Sequence, residues 1–232
     1  MYYVLLALGA ISLLLYVREK LNACSLKACI LKSVVSVFFI AVGVYGVWAS
    51  GASIMSLLVV LGLVFGLLGD IWLDLKYVFP EKDEPFSYAG FVVFGIGHIL
   101  YMTGMLISFF PKGRAMWVIV PIVLAVLMSF GNMLLEKPMK LNYGKMKAIA
   151  IAYGVCLFGT LLLSGSLALC YGWQEKALNF MFIGAVLFTA SDLVLSGTYF
   201  GEGKDRPVDI ILNYLTYYPA QFVIASALLF LV

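Results

Sequence analysis

The sequence predicts an all-α integral membrane protein, with eight transmembrane helices in a single domain over residues 1–232. Three observations predict it. Of 232 residues, 64% are hydrophobic and 12% charged, whereas a globular domain carries about 25% charged and under about 50% apolar residues. A chain of this size cannot hide that much apolar surface in its own core, so its solvent is lipid. The sequence also divides into eight apolar stretches near the roughly 20 residues that cross a bilayer as a helix. Finally, the basic residues gather between those stretches, which leave no room for a soluble domain.

The spans run 2–17, 33–50, 54–75, 88–110, 115–135, 148–171, 178–200 and 209–232. The first lacks a basic leader and a small-residue cleavage site, so it reads as a retained span rather than a signal peptide. The second follows a basic connection flanked by Cys24 and Cys29. The third reads G-x-x-x-G-x-x-G-D at Gly62, Gly66, Gly69 and Asp70, and small residues at this spacing let two helix backbones approach closely. Cys156 and Cys170 lie in or at the end of the sixth span. All four cysteines read as packing residues, with no disulfide or metal signature.

Charge sets the orientation. The first, third, fifth and seventh connections hold twelve of the fifteen Lys and Arg residues: Arg18, Lys20, Lys27, Lys32, Lys76, Lys82, Lys137, Lys140, Lys145, Lys147, Lys204 and Arg206. Lys112, Arg114 and Lys176 hold the other side. The positive-inside rule places the richer connections in the cytoplasm and both termini outside, across the plasma membrane in a bacterium. The net charge of +3 gives no reason to expect a nucleic-acid partner. An internal echo is also visible, since residues 62–73 align without gaps on residues 184–195, with Gly, Val, Asp and Leu matching. It is consistent with a weak parallel 4+4 repeat or with shared apolar composition.

Asp70 and Asp192 stand deep inside spans three and seven. A carboxylate in hydrocarbon costs about 2.5–3.5 kcal/mol even on a lenient insertion scale, and such residues face a bundle interior or a cavity. From the cytoplasmic ends, Asp70 lies about 8 Å deep, Asp192 and Tyr217 about 12 Å and His98 about 15 Å. Gln221 is slightly deeper, and Asp74 lies near the interface. Within each span the polar groups share a helix face: Thr189, Asp192, Ser196 and Tyr199; Asn213, Tyr217 and Gln221; His98 and Tyr101. These faces imply one cavity open to the cytoplasm. Asp70 and Asp192 are the expected catalytic pair, because no Lys or Arg is expected at matching depth. Supporting roles fall to His98, Tyr101, Ser191, Asn213, Tyr217, Tyr218, Gln221 and Asp74. Two carboxyls in one cavity oppose each other's ionisation, so one would hold a proton as acid and the other act as base. A single histidine with a few carboxylates lacks the donor set for zinc. No phosphate loop or Ser-His-Asp set is present either, so no metal or cofactor is expected.

The sequence resembles the YhhN-like family of multi-spanning membrane proteins, which includes the lysoplasmalogenases. The resemblance rests on Gly69-Asp70 with Leu73, Phe91 through His98 and Tyr101, Ser191-Asp192 with Leu195, and Tyr217-Tyr218-Pro-Ala-Gln221 with Ser226. It runs over essentially the whole chain. Family members often carry Lys-Pro where this chain has Lys32-Ser33. The resemblance implies hydrolysis of the vinyl ether of an alkenyl lysophospholipid to a fatty aldehyde and a glycerophospho-alcohol. Lys32, at the mouth of span two, is the expected head-group residue. The same buried aspartates would serve a proton-coupled transporter, a lipid-binding membrane protein or an intramembrane aspartyl protease. Aldehyde release distinguishes the hydrolase from all three.

Overall fold

The computed structural model describes residues 1–22, 25–201 and 206–231. Cys24 and Lys204, which entered the sequence reading, lie outside the described residues. The described chain is helical: α1 (Tyr2–Asn22), α2 (Leu26–Ser50), α3 (Ile54–Val78), α4 (Asp83–Phe109), α5 (Met116–Leu134), α6 (Lys147–Cys170), α7 (Lys176–Phe200) and α8 (Pro207–Ala227). Six of these, α2 to α7, are long and apolar enough to cross a membrane. In α8, Asn213, Gln221 and three tyrosines dilute the apolar character.

The start of α2 and the end of α1 both reach beyond the expected span limits. Ser25 caps α2, its Oγ accepting from the Ala28 amide, which satisfies one of the orphan donors of a first turn. The helix therefore begins at Leu26, and Lys32 lies inside it. Likewise α1 continues to Asn22 and carries Lys20 with it. Ser53 and Ser56 form a reciprocal capping box at the start of α3.

Consecutive helices pack on each other except α4 and α5; α4 packs instead on α6, and α8 also packs on α2. Between α3 and α4 the small residues set the approach. A Cβ on Gly62 would lie 2.4 Å from the Tyr101 ring and 3.0 Å from the Gly97 carbonyl oxygen. On Gly69 it would lie 2.5 Å from Phe94. The α7–α8 pair is built alike, for a Cβ on Gly184 would meet Ile224 at 2.5 Å and the Ala220 carbonyl oxygen at 3.1 Å. In lipid, where helix association draws little on the hydrophobic effect, such close packing supplies much of the attraction. Helix α5 packs chiefly on α6, where Ser129 Oγ donates to the Ile151 carbonyl at 2.7 Å. The α5–α6 connection folds back on the end of α7, with the Asn142 amide donating to the Phe200 carbonyl at 2.7 Å.

Candidate active site

A cavity of about 360 Å³ opens among the C-terminal halves of α3 and α7, the N-terminal half of α8 and the facing sides of α4 and α6. Asp70 and Asp192 both line it. So do Lys32, Ser191, Asn213 and Tyr217 among the residues expected from sequence, together with Lys20 and Tyr153. Phe91, Phe94, Leu157, Phe158 and Phe188 form an apolar wall.

The two aspartates sit in different surroundings. Asp70 Oδ2 accepts from Ser36 Oγ at 2.6 Å and Tyr217 Oη at 2.9 Å, and Lys32 Nζ stands 3.4 Å from Oδ1. One turn on, Asp74 Oδ1 accepts from Lys20 Nζ at 3.0 Å and lies 3.4 Å from Lys32 Nζ. Tyr16 Oη reaches Asp74 Oδ2 at 3.4 Å. Two lysines and two aspartates thus form one buried ladder, with Lys32 shared between the carboxylates. This corrects the expectation that no Lys or Arg lies at matching depth. Lys32 is 5% exposed and Lys20 6% exposed, because capped, longer helices carry both inward. Lys32 does line the cavity, but carboxylates engage its charge.

Asp192 has no such partner. Among the described residues no cation bridges it; its Oδ2 accepts from Tyr153 Oη of α6. Sequence reasoning missed Tyr153, and the one signal was a phenol set inside the apolar run of span six, away from its ends. Ser36 was also missed, although it lies four residues after Lys32 and so on the same helix face.

The other expected residues form a second tier. Tyr101 Oη donates to Gln221 Oε1 at 3.2 Å, and Gln221 Nε2 donates to Tyr217 Oη at 3.1 Å. Tyr217 is thereby left to donate its own proton to Asp70. Gly66 makes room for this amide, since a Cβ there would lie 2.7 Å from Gln221 Nε2. Asn213 and Ser191 clasp α7 to α8 through Asn213 Nδ2, which donates to Ser191 Oγ at 2.8 Å and to its carbonyl at 3.0 Å. His98 lies behind the wall, its ring 4.7 Å from Phe188 and its Nδ1 3.1 Å from Thr160 Oγ1. Tyr218 is fully buried and packs on Tyr16 and Phe39. His98, Tyr101, Tyr218, Gln221 and Asp74 do not line the cavity. Among the described residues no group of three His, Cys, Asp or Glu side chains could hold a metal ion.

The mouth is aromatic and basic. Tyr77 and Tyr199 line it, each seven residues beyond its aspartate. Lys20 Nζ stands 4.0 Å from the Tyr77 ring centre and Lys76 Nζ 3.4 Å from that of Tyr199. Opposite, Tyr143 of the α5–α6 connection packs on Phe200 at 4.5 Å. In that connection the hydrogen bond from Lys147 holds the Glu136 carboxyl below its usual range.

Compared with known proteins, residues 28–228 match the YhhN family. No curated protein and no solved structure matches the chain. The family match spans nearly the whole sequence, including both aspartate-bearing helices and the polar residues of α8, and the chain therefore belongs to the YhhN family.

Proposed function

We propose that this protein is a membrane-embedded hydrolase that cleaves the vinyl ether of lysoplasmalogens. One observation carries the reading: Asp70 and Asp192 line the same cavity in unlike surroundings. Asp70 shares the Lys32 ammonium and accepts two hydroxyl hydrogen bonds, the environment of an ionised base. Asp192 meets a phenol and an aromatic wall, where an uncompensated charge is expensive. It therefore holds the proton.

Vinyl ether hydrolysis uses both states. Asp192 gives its proton to the carbon β to the ether oxygen; the double-bond electrons form the new C–H bond and leave an oxocarbenium ion. Water adds to the carbon bearing the oxygen as Asp70 accepts the water proton through Oδ1, since Oδ2 already accepts twice. The hemiacetal then transfers its hydroxyl proton to the ether oxygen and breaks into aldehyde and glycerophospho-alcohol. General acid and base steps of this kind each contribute about 10²–10⁴-fold, and the nearby Asp70 carboxylate also stabilises the cation. The cavity volume of about 360 Å³ lies at the small end of ligand pockets. It suits the reactive segment of a one-chain amphiphile, with the tail against the aromatic wall.

The same proposal has α1 and α8 crossing the membrane with the other six helices and both termini outside. The charge asymmetry supports it, as do the exposed outer residues Leu14 and Leu15 of α1 and Leu212 and Leu215 of α8. A parallel 4+4 duplication is supported by the pairing of α4 with α6 and of α8 with α2. The glycine contacts of Gly62 and Gly184 are also alike. That symmetry equally favours a proton-coupled transporter. Incubating purified protein with alkenyl and matched acyl lysophospholipids decides between them. Aldehyde from the alkenyl lipid alone supports the hydrolase, whereas accumulation in proteoliposomes without chemical change supports transport.

A further inference from the structure

The cavity is too shallow for the whole of a lipid chain. Counted from the mouth, its deepest lining residues are Asp70, Phe94, Phe158, Phe188 and Tyr217. Phe188 lies four residues, about 6 Å, beyond Asp192. Beneath that floor the bundle is shut. A Cβ on Gly62 would lie 2.4 Å from Tyr101, on Gly159 2.8 Å from Met102 Sδ and on Gly184 2.5 Å from Ile224. These contacts close α3 and α6 on α4, and α7 on α8. A lipid chain spans about 15 Å, half the roughly 30 Å hydrocarbon core that two leaflets fill. Less than half of it fits below the aspartates, so the rest must leave the bundle sideways.

The lining shows where. Among the described residues that line the cavity, only Tyr77 at 38% and Leu193 at 50% are exposed. Tyr77 stands at the mouth. Leu193 lies seven residues, about 10 Å, inward of Phe200 and beside Asp192. On α7, Ser191 meets α8 through Asn213, and Asp192 meets α6 through Tyr153. Each residue turns a helix by about 100°, so Leu193 points past α6 to the outer surface. The α6–α7 seam is tight at its far end, where a Cβ on Gly165 would lie 2.8 Å from Phe182. At the level of Asp192 the long Tyr153 side chain links the two helices, beside the small lining residues Ala150 and Gly154.

We propose that this part of the seam is a lateral window, framed by Tyr153 and Leu193, through which the alkyl chain of a bilayer lipid passes from the cavity into the membrane. The first carbons touch the aromatic wall and the remainder stays in lipid. The protein therefore selects the reacting group and is indifferent to chain length, and an aldehyde product returns to the bilayer by the same route. This inference rests on the hydrolase reading for the choice of a one-chain lipid, but it concerns where the chain lies and is tested without turnover.

The probes are acyl lysophospholipids with a photoreactive diazirine, placed either next to the carbonyl or at the terminal methyl. After irradiation of the protein in phosphatidylcholine vesicles, mass spectrometry locates the label. The proximal probe should mark Phe94, Phe158 or Phe188, whereas the terminal probe should mark Leu193 or bulk lipid. Terminal label on Tyr101, Met102 or Ile224, beneath the floor, overturns the window, and so does a wall that the proximal probe never marks. Leu193→Trp should cut proximal labelling of the wall at least about fivefold, as bulk forced into an occupied space does. Ile183→Trp, equally exposed on α7 but outside the lining, should leave it unchanged. Equal labelling in the two variants, or equal loss, overturns the proposal. Aldehyde release with terminal label beneath the floor sinks the window alone; a wall labelled as expected in a protein that releases no aldehyde sinks the hydrolase reading alone.

Discussion

At the residue scale, the proposal stands on two carboxyls with different neighbours. Asp70→Asn and Asp192→Asn keep size and hydrogen bonding but cannot exchange a proton, so each should lower aldehyde release at least about a hundredfold. Near-normal rates in a folded variant would remove the acid/base assignment. Tyr153→Phe removes the hydrogen bond that Asp192 accepts from the Tyr153 phenol and should cost about tenfold in kcat, the worth of one buried hydrogen bond. Lys32→Met is harsher, because it strips the shared cation from Asp70 and Asp74. Breaking a buried pair from one side costs about 3–5 kcal/mol, visible as a lower denaturation midpoint in detergent. Adding Asp74→Asn to Lys32→Met leaves Lys20 and Asp70 balanced and should recover much of that stability without recovering activity. If the double variant is no more stable than the single one, the ladder is not a charge-balanced unit. The aspartates were legible in the sequence because a carboxylate inside an apolar run is costly wherever it points. Tyr153 was not, since a phenol tolerates many membrane depths and its partner lies 39 residues away on the next helix.

At the element scale, glycines decide how closely helices approach. Gly62→Val and Gly184→Val insert branched side chains where even a Cβ would sit 2.4 and 2.5 Å from its neighbours. Each should destabilise by about 1–3 kcal/mol through overpacking, read from thermal unfolding in detergent. Unchanged stability would mean that the α3–α4 or α7–α8 contact is looser than described. The glycine motif of α3 was readable as a packing face. Its division of labour was not, because Gly62 and Gly69 receive α4 whereas Gly66 receives the Gln221 amide of α8. Helix limits were the weaker inference. Counting only apolar residues ended α1 early and started α2 late, and so assigned Lys20 and Lys32 to a connection. The Ser25 cap and their mutual ion pairs carry both lysines into the bundle.

At the scale of the whole molecule, the basic connections predict that both termini lie outside. Reporters active only on the non-cytoplasmic side should work when fused at either end, and a silent fusion at one end would overturn the span count. By itself the sequence determined that this is a helical membrane protein, that its polar groups gather in one half of the bundle's depth, and that Asp70 and Asp192 are its unusual residues. Those properties follow from the cost of placing each residue type in lipid, which is local and additive along the chain. Only the tertiary structure decided which aspartate meets a cation. It also decided that Tyr153 of α6 holds Asp192, that His98 lies behind the cavity wall, and that Tyr77 and Tyr199 share its mouth with buried lysines. Those facts depend on which helix faces meet, and that is fixed by close packing between distant segments.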